Sequence, residues 1–183
     1  MTRHYKIIPA MLLLAISSAS GSELFPQRIK VLDQSFVKLG EYRYVYRFFF
    51  DLYEVALFTE SGADAEDVLK ANRAFHLQFH YLRQIDKAII LKSADRMLER
   101  NLSEDERSII AERVAKINEA YTGVGEGDRS SLTYKPSTGT TLCINDEPVI
   151  TIEGKDFAEL YFRIWLGEEA ISQSLKENLL GRG

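Results

Sequence analysis

Residues 41–53, EYRYVYRFFFDLY, constrain the fold of this chain more than any other segment. They contain four of the chain's nine tyrosines and three of its ten phenylalanines. Most of these aromatic residues recur at every second position: Tyr42, Tyr44, Tyr46, Phe48 and Phe50. Side chains alternate between the two faces of a β-strand, and aromatic and β-branched residues favour strands. The segment therefore predicts a strand with one aromatic face and with Arg43 and Arg47 on the other.

The rest of the chain predicts strands and helices in alternating groups. Alternating apolar residues bounded by turn residues predict strands at 27–39 (a strand, a turn and a strand), 52–60, 74–83, 130–135, 139–144 and 148–153. Helical spacing of apolar residues predicts helices at 63–72, 86–101, 156–166 and 171–180, and another that begins after Ser103. Ser103 and Glu106 have the spacing of a capping box. This order predicts an α+β fold, a mostly antiparallel sheet covered on one face by helices.

The N-terminus has the organisation of a secretory signal peptide. A short positive region, MTRHYK, precedes the apolar run IIPAMLLLAI and the small residues SSASGS. The apolar run is about ten residues, too short for a helix that crosses a bilayer. We expect segment 1–22 to be removed by cleavage after Ser20 or Ser22, which leaves one domain at 23–183 and no stable membrane anchor.

Charge and cysteine content narrow the class of protein further. The 183-residue chain has a formal charge of −4, which is against nucleic-acid binding through an overall positive field. The predicted signal peptide contains two of the 23 basic residues and none of the 27 acids, so the mature chain would have a formal charge of −6. Cys143 is the single cysteine, so no internal disulfide can form. An exported protein without disulfides best fits the bacterial periplasm.

Two motifs that suggest chemistry have simpler interpretations. His76 and His80 could share a metal ion on a helix, but on the predicted strand they would lie about 13 Å apart. We therefore expect no metal site. The glycine-rich segment 123–128 follows a predicted helix and precedes a strand, the reverse of a dinucleotide-binding loop. It is interpreted as a turn.

The aromatic segment has two interpretations. In the first, its aromatic side chains pack under helices while Arg43 and Arg47 point to water. In the second, they form the wall of a cleft between sheet and helices, where an arginine binds the carboxylate of an apolar ligand.

Four stretches resemble the chalcone isomerase-like superfamily in its bacterial, exported branch. They are GEYRYVYRFFFDLYEVALF, LQFHYLRQI, SLTYKPSTGTTLCIND and GKDFAELYFRIWLGEEAISQSLKENLLG. Together they span most of residues 40–181. The resemblance implies an open-faced β-sandwich, a long antiparallel sheet with a layer of helices. It also implies chemistry without a cofactor.

The resemblance also suggests site residues. The isomerases use an arginine, a threonine and a tyrosine, whereas the fatty-acid-binding relatives hold a carboxylate with an arginine and a tyrosine. In the strand LYEVALF, Tyr53 takes the place of the isomerases' threonine, where the binding relatives have tyrosine. Arg43 fits the binding relatives' spacing, and Arg47 is the second candidate. With the chain folded back near Phe50–Asp51, Arg43 and Tyr53 would converge on one head group. Tyr46 and Tyr81 would contribute to the ligand site as well.

These observations favour a periplasmic, non-catalytic binder of a fatty acid or similar small amphipathic carboxylate, in a cleft between sheet and helices. A cofactor-independent isomerase acting on a chalcone-like substrate is the first alternative. The second is a structural or interaction domain whose cleft is filled by its own side chains.

Overall fold

The computed structural model describes residues 24–31, 33–46 and 50–183. Its strands are Arg28–Val31 (β1), Gln34–Tyr46 (β2), Phe50–Thr59 (β3), Phe75–Tyr81 (β4), Arg129–Lys135 (β5), Gly139–Ile144 (β6) and Glu147–Ile152 (β7). Its helices are Ala65–Leu69 (α1), Lys87–Asn101 (α2), Glu104–Ala120 (α3), Lys155–Tyr161 (α4), Arg163–Leu166 (α5) and Gln173–Leu179 (α6). No helix in these ranges combines the length and apolarity needed to cross a bilayer.

The strands form one antiparallel sheet in which spatial order follows chain order. The sheet curls into a half-barrel, and the helices pack on one of its faces. Large, fully buried side chains from both layers meet there: Leu57, Phe75, Leu77, Leu132, Tyr134 and Leu142 from strands, and Ile110, Ile117, Phe157, Tyr161, Leu175 and Leu179 from helices. The α+β fold predicted from the sequence, with helices on one face of an antiparallel sheet, is confirmed.

Strands β2 and β3 form a hairpin within the aromatic segment. Their pairing runs from Val37 opposite Thr59 to Tyr46 opposite Phe50. The predicted fold-back is therefore confirmed, but its predicted position at Phe50–Asp51 is wrong, because both residues already belong to β3. The connecting residues 47–49 lie outside the described residues.

Gly40 lies inside a strand, although the sequence predicted one strand before it and another after it. Strand β2 continues through it to Tyr46, with a register shift between Lys38 and Gly40. Helix α6 crosses the strand at this glycine, so closely that a Cβ there would lie 1.9 Å from the Asn178 carbonyl oxygen. The glycine therefore marks a helix–strand contact.

Most of the local predictions for the helices, such as the capping box, are confirmed. Glu106 donates its backbone N–H to the Ser103 hydroxyl at 3.2 Å, and the Glu106 carboxylate accepts the Ser103 N–H at 2.9 Å, which confirms the capping box. The single helix expected at 156–166 is two short helices that meet at Phe162. Ile89 of α2 and Ile109 of α3 are 59% and 61% exposed, although helical spacing of apolar residues favours burial.

The sheet face opposite the helices, here called the open face, is only partly covered. A small apolar cluster occupies it: Phe25, Phe36, Ala56, Phe58 and Ala74. The Glu41 carboxylate anchors the N-terminal segment there by accepting the backbone N–H groups of Leu24 and Phe25 at 3.2 and 3.0 Å. The region of the open face over β4–β6 is left outside this cluster.

Candidate functional site

Tyr53 lies on the helix-facing side of the sheet, inside a cluster of aromatic rings. Its ring stacks on Tyr44 at 5.1 Å and contacts Phe79 and Tyr81 edge-on at 5.4 and 6.2 Å. Tyr53 is 7% exposed, and burial raises the pKa of its phenol well above the usual range. Among the described residues its hydroxyl has no hydrogen-bond partner. Tyr53 is therefore a neutral core residue in this structure.

Tyr81 is equally buried, but its hydroxyl is satisfied. The hydroxyls of Tyr81 and Ser130 lie 2.9 Å apart and share a hydrogen bond. Burial raises the pKa of Tyr81 to about 12, although the Ser130 contact opposes that shift. Tyr46 lies elsewhere, at the end of the β2–β3 hairpin opposite Phe50, and is 44% exposed.

Arg43 lies on the open face, where it pairs with a carboxylate. It stands opposite Glu54, and its Nε and Nη2 donate to Glu54 Oε1 at 3.0 and 2.5 Å. His80 Nδ1 lies 3.3 Å from the second oxygen of the same carboxylate. The Glu54 side chain is only 10% exposed, so Arg43 compensates a nearly buried charge.

The expected convergence of Arg43 and Tyr53 on one head group is wrong. Tyr53 is opposite Tyr44, the neighbour of Arg43 in β2, and consecutive residues of a strand point to opposite faces. The sheet therefore separates the guanidinium from the phenol. Arg47, the second candidate, lies outside the described residues. A ligand-binding role for Arg43, Arg47, Tyr46, Tyr53 or Tyr81 individually stays a prediction.

A basin on the open face is the larger of two concavities described, and neither lies in the expected cleft between sheet and helices. It has a volume of about 520 Å³, within the range of ligand pockets. Ile29 and Val31 of edge strand β1 line one side, and Pro148 of β7 lines another part of the wall. The curl of the sheet brings β1 toward β5–β7, strands from which it is separated in the order of the sheet.

Polar side chains of the central strands form the basin floor. They are His76, Gln78, Ser131, Thr133, Thr141 and Cys143. His76 Nδ1 and the Thr133 hydroxyl lie 2.8 Å apart, and the Thr141 hydroxyl bonds that of Thr151 at 2.9 Å. Burial lowers the pKa of His76 to about 4, so its ring is neutral at neutral pH. Burial raises the pKa of the half-buried Cys143 thiol.

Two of the cations that line the basin differ in their pairing. Arg129 Nη2 donates to Asp146 at 2.7 Å. Asp146 is held by the two-residue β6–β7 turn, where it and Asn145 both have positive φ. Lys135, on the same face of β5, has no ion-pair partner among the described residues. Lys30 of β1 also lines the basin. The arrangement can attract one anionic group and still present aliphatic surface beside it.

Sequence reasoning missed these residues, although β5 contained a signal. In RSSLTYK the odd-numbered residues Arg129, Ser131, Thr133 and Lys135 are all polar, which marks one exposed face. That pattern is typical of any solvated sheet face. It does not reveal that residues of β1 line a basin together with this face.

Comparisons with known proteins agree with this architecture. A family model described as chalcone isomerase-like matches residues 23–181. No curated protein matches the sequence significantly. Among solved structures, the crystal structure of an Arabidopsis thaliana fatty-acid binding protein matches with a TM-score of 0.61. It has 13% sequence identity, over 86% of this chain and 91% of the plant chain. At that identity the likeness shows the fold alone.

Proposed function

The chain belongs to the chalcone isomerase-like family, and on that premise we propose that it binds a small amphipathic carboxylate without converting it. The observation that carries this proposal is the basin of about 520 Å³ on the open face. The site is thus proposed on the face of the sheet opposite the cleft expected from the sequence.

The composition of the basin suits a ligand with one charged and one apolar end. Lys135 supplies a cation without an ion-pair partner among the described residues, and charge-assisted hydrogen bonds to carboxylates are among the stronger polar contacts. Ile29, Val31 and Pro148 supply apolar wall, and lysine stems and threonine methyl groups add to it. The fatty-acid binding protein with the same fold supports the same class of ligand.

Cys143 offers a direct test, because it is the chain's single cysteine and lines the basin. Decanoate should slow the alkylation of Cys143 by N-ethylmaleimide in proportion to site occupancy. The reaction should be followed by intact-protein mass spectrometry at mildly alkaline pH, since burial raises the pKa of the thiol. Decan-1-ol, which has the same chain length and no charge, should protect the thiol at least tenfold less per unit concentration.

A substitution in the basin tests whether protection of the thiol comes from decanoate bound there or from a general change in the protein. Cys143→Phe should project a bulky ring into the basin and reduce the decanoate heat signal in calorimetry, while its urea midpoint reports whether it is folded. If wild type shows neither protection nor heat with decanoate or with its 3-hydroxy derivative, the proposal is wrong. The domain would then be better described as structural, as the filled space between sheet and helices also allows.

Chalcone cyclisation should proceed at the buffer rate in the presence of this protein. The arginine and tyrosine that the family resemblance suggested lie on opposite faces of the sheet, so they cannot polarise one substrate together. The loss of absorbance of a 2′-hydroxychalcone, with and without protein, measures the rate. Enzymes accelerate reactions by roughly 10⁶-fold or more, and an acceleration on that scale would restore the isomerase alternative.

We also propose export to the periplasm with removal of segment 1–22. The family match begins at residue 23, which is compatible with a separate leader before it. Protein recovered from a periplasmic fraction should begin at Gly21 or Glu23 on N-terminal sequencing. Soluble protein that retains Met1 would contradict this proposal.

A further inference from the structure

The basin floor presents several hydrogen-bonding side chains to the space that a ligand would occupy. Gln78, Ser131 and Thr141 all point to the open face from three adjacent strands. Ser131 stands opposite Cys143 and between strands β4 and β6, at the centre of this floor. Apolar side chains are confined to the walls, at Ile29, Val31 and Pro148.

The Thr141 hydroxyl already bonds that of Thr151, but each floor group has further donor or acceptor capacity that water can satisfy. A purely aliphatic tail would displace that water and replace none of its hydrogen bonds. Each buried polar group left without a partner carries a penalty, whereas a hydroxyl or carbonyl on the ligand would restore the bond. The floor therefore discriminates in favour of a tail that carries oxygen. A serine, a threonine and a glutamine offer donors and acceptors, so either group can be accommodated.

Arg129 and Lys135 differ in how available they are to an anionic ligand. The Arg129 guanidinium is engaged by Asp146 at 2.7 Å, and an incoming anion would compete with that carboxylate. The Lys135 ammonium has no such competitor among the described residues. It follows Thr133 on the open face and lies close in sequence to Thr138, and both threonines line the basin. A carboxylate placed at the Lys135 end leaves the existing ion pair intact.

We infer that the ligand is a carboxylate with at least one further hydroxyl or keto oxygen on its chain, and that Lys135 binds its carboxylate. This inference rests on the proposed function and narrows it. The apolar part of the ligand lies against Ile29 and Val31, while its second oxygen faces Ser131 and Thr141.

Isothermal titration calorimetry with three ligands of equal chain length tests both the second oxygen and the role of Lys135. Racemic 3-hydroxydecanoate should bind at least tenfold more tightly than decanoate, and decane-1,3-diol should bind more weakly than either acid. Ser131→Ala and Thr141→Val should each reduce the advantage of the hydroxy acid over decanoate. Decanoate should bind each of these variants at least as tightly as it binds wild type, because its aliphatic tail then leaves one polar group fewer without a partner.

Lys135→Met should lower the affinity for both acids at least tenfold and leave that for the diol unchanged. Lys135→Arg should retain most of the acid binding, and Lys92→Met, on the exposed side of α2, is the charge-matched control. Urea midpoints establish that each variant is folded.

The outcomes separate the inference from the function on which it rests. Equal binding of decanoate and 3-hydroxydecanoate would overturn the oxygen-bearing ligand and leave the binding function standing. Unchanged acid binding by Lys135→Met would overturn the role of Lys135. Absence of binding by all three ligands, together with full alkylation of Cys143, would overturn the proposed function itself.

Discussion

Gly40→Ala should destabilise the protein by about 3 kcal/mol or more, at the upper end of what overpacking costs. An added Cβ would lie 1.9 Å from the Asn178 carbonyl oxygen and 2.7 Å from that of Leu179. Both are backbone atoms of the α6 end, so no side-chain rotation can relieve the contact. Urea denaturation followed by circular dichroism measures the loss.

Gly125→Ala is the matched control for this substitution. Its Cβ would meet only the Asp128 carboxylate, at 3.4 Å, which is an ordinary van der Waals contact. It should change the free energy of unfolding by less than about 1 kcal/mol. A comparably small effect of Gly40→Ala would mean that the end of α6 does not pack directly against the backbone of β2 at Gly40.

Arg43→Met should cost about 2–3 kcal/mol of stability while leaving decanoate binding unchanged. The value lies between those for exposed and buried ion pairs, since the Arg43 side chain is 46% exposed and that of Glu54 only 10%. The substitution removes two hydrogen bonds and leaves the Glu54 carboxylate with His80 as its remaining partner among those described here. Adding Glu54→Gln to Arg43→Met should recover part of the loss.

Arg100 provides a comparison at equal exposure. Its side chain is also 46% exposed, but its partner Glu169 is 59% exposed. Arg100→Met should therefore cost less than about 1 kcal/mol. If instead a folded Arg43→Met protein loses decanoate binding tenfold, Arg43 is the head-group residue that the sequence suggested. The basin would then be the wrong site.

Much of the fold follows from short-range patterns. The aromatic alternation at 42–50 predicts a strand because a pleated strand has a period of two residues, and no helix presents that pattern on one face. The Ser103–Glu106 capping box predicts a helix start because both of its hydrogen bonds are local. The turn at Asn145–Asp146 is similarly local, since both residues tolerate positive φ.

The candidate site depends on relations that these patterns do not contain. The residues predict strands at Arg43 and Tyr53, and a single site for both required these strands to fold back on each other. The pairing register decides whether the two residues share a face. With Arg43 opposite Glu54, Tyr53 is opposite Tyr44 and faces the helices. A shift of one residue would have placed the guanidinium and the phenol together.

Gly40 illustrates the same limit for backbone contacts. A glycine in a predicted strand indicates a break, a bulge or a close approach, and the sequence does not distinguish them. Helix α6, more than 130 residues later in the chain, is what requires it.

The sequence by itself determined the α+β class, the strand–helix order and the alternation that separates a polar face of β5 from an apolar one. Those properties depend on residues within one or two turns or pleats of each other. Only the tertiary structure decided that Tyr53 is a core residue, that Arg43 neutralises Glu54, and that β1 lines one basin together with Lys135 and Cys143. The register of β2 on β3 and the curl of a seven-stranded sheet are set by packing across the whole domain, so no local pattern encodes them.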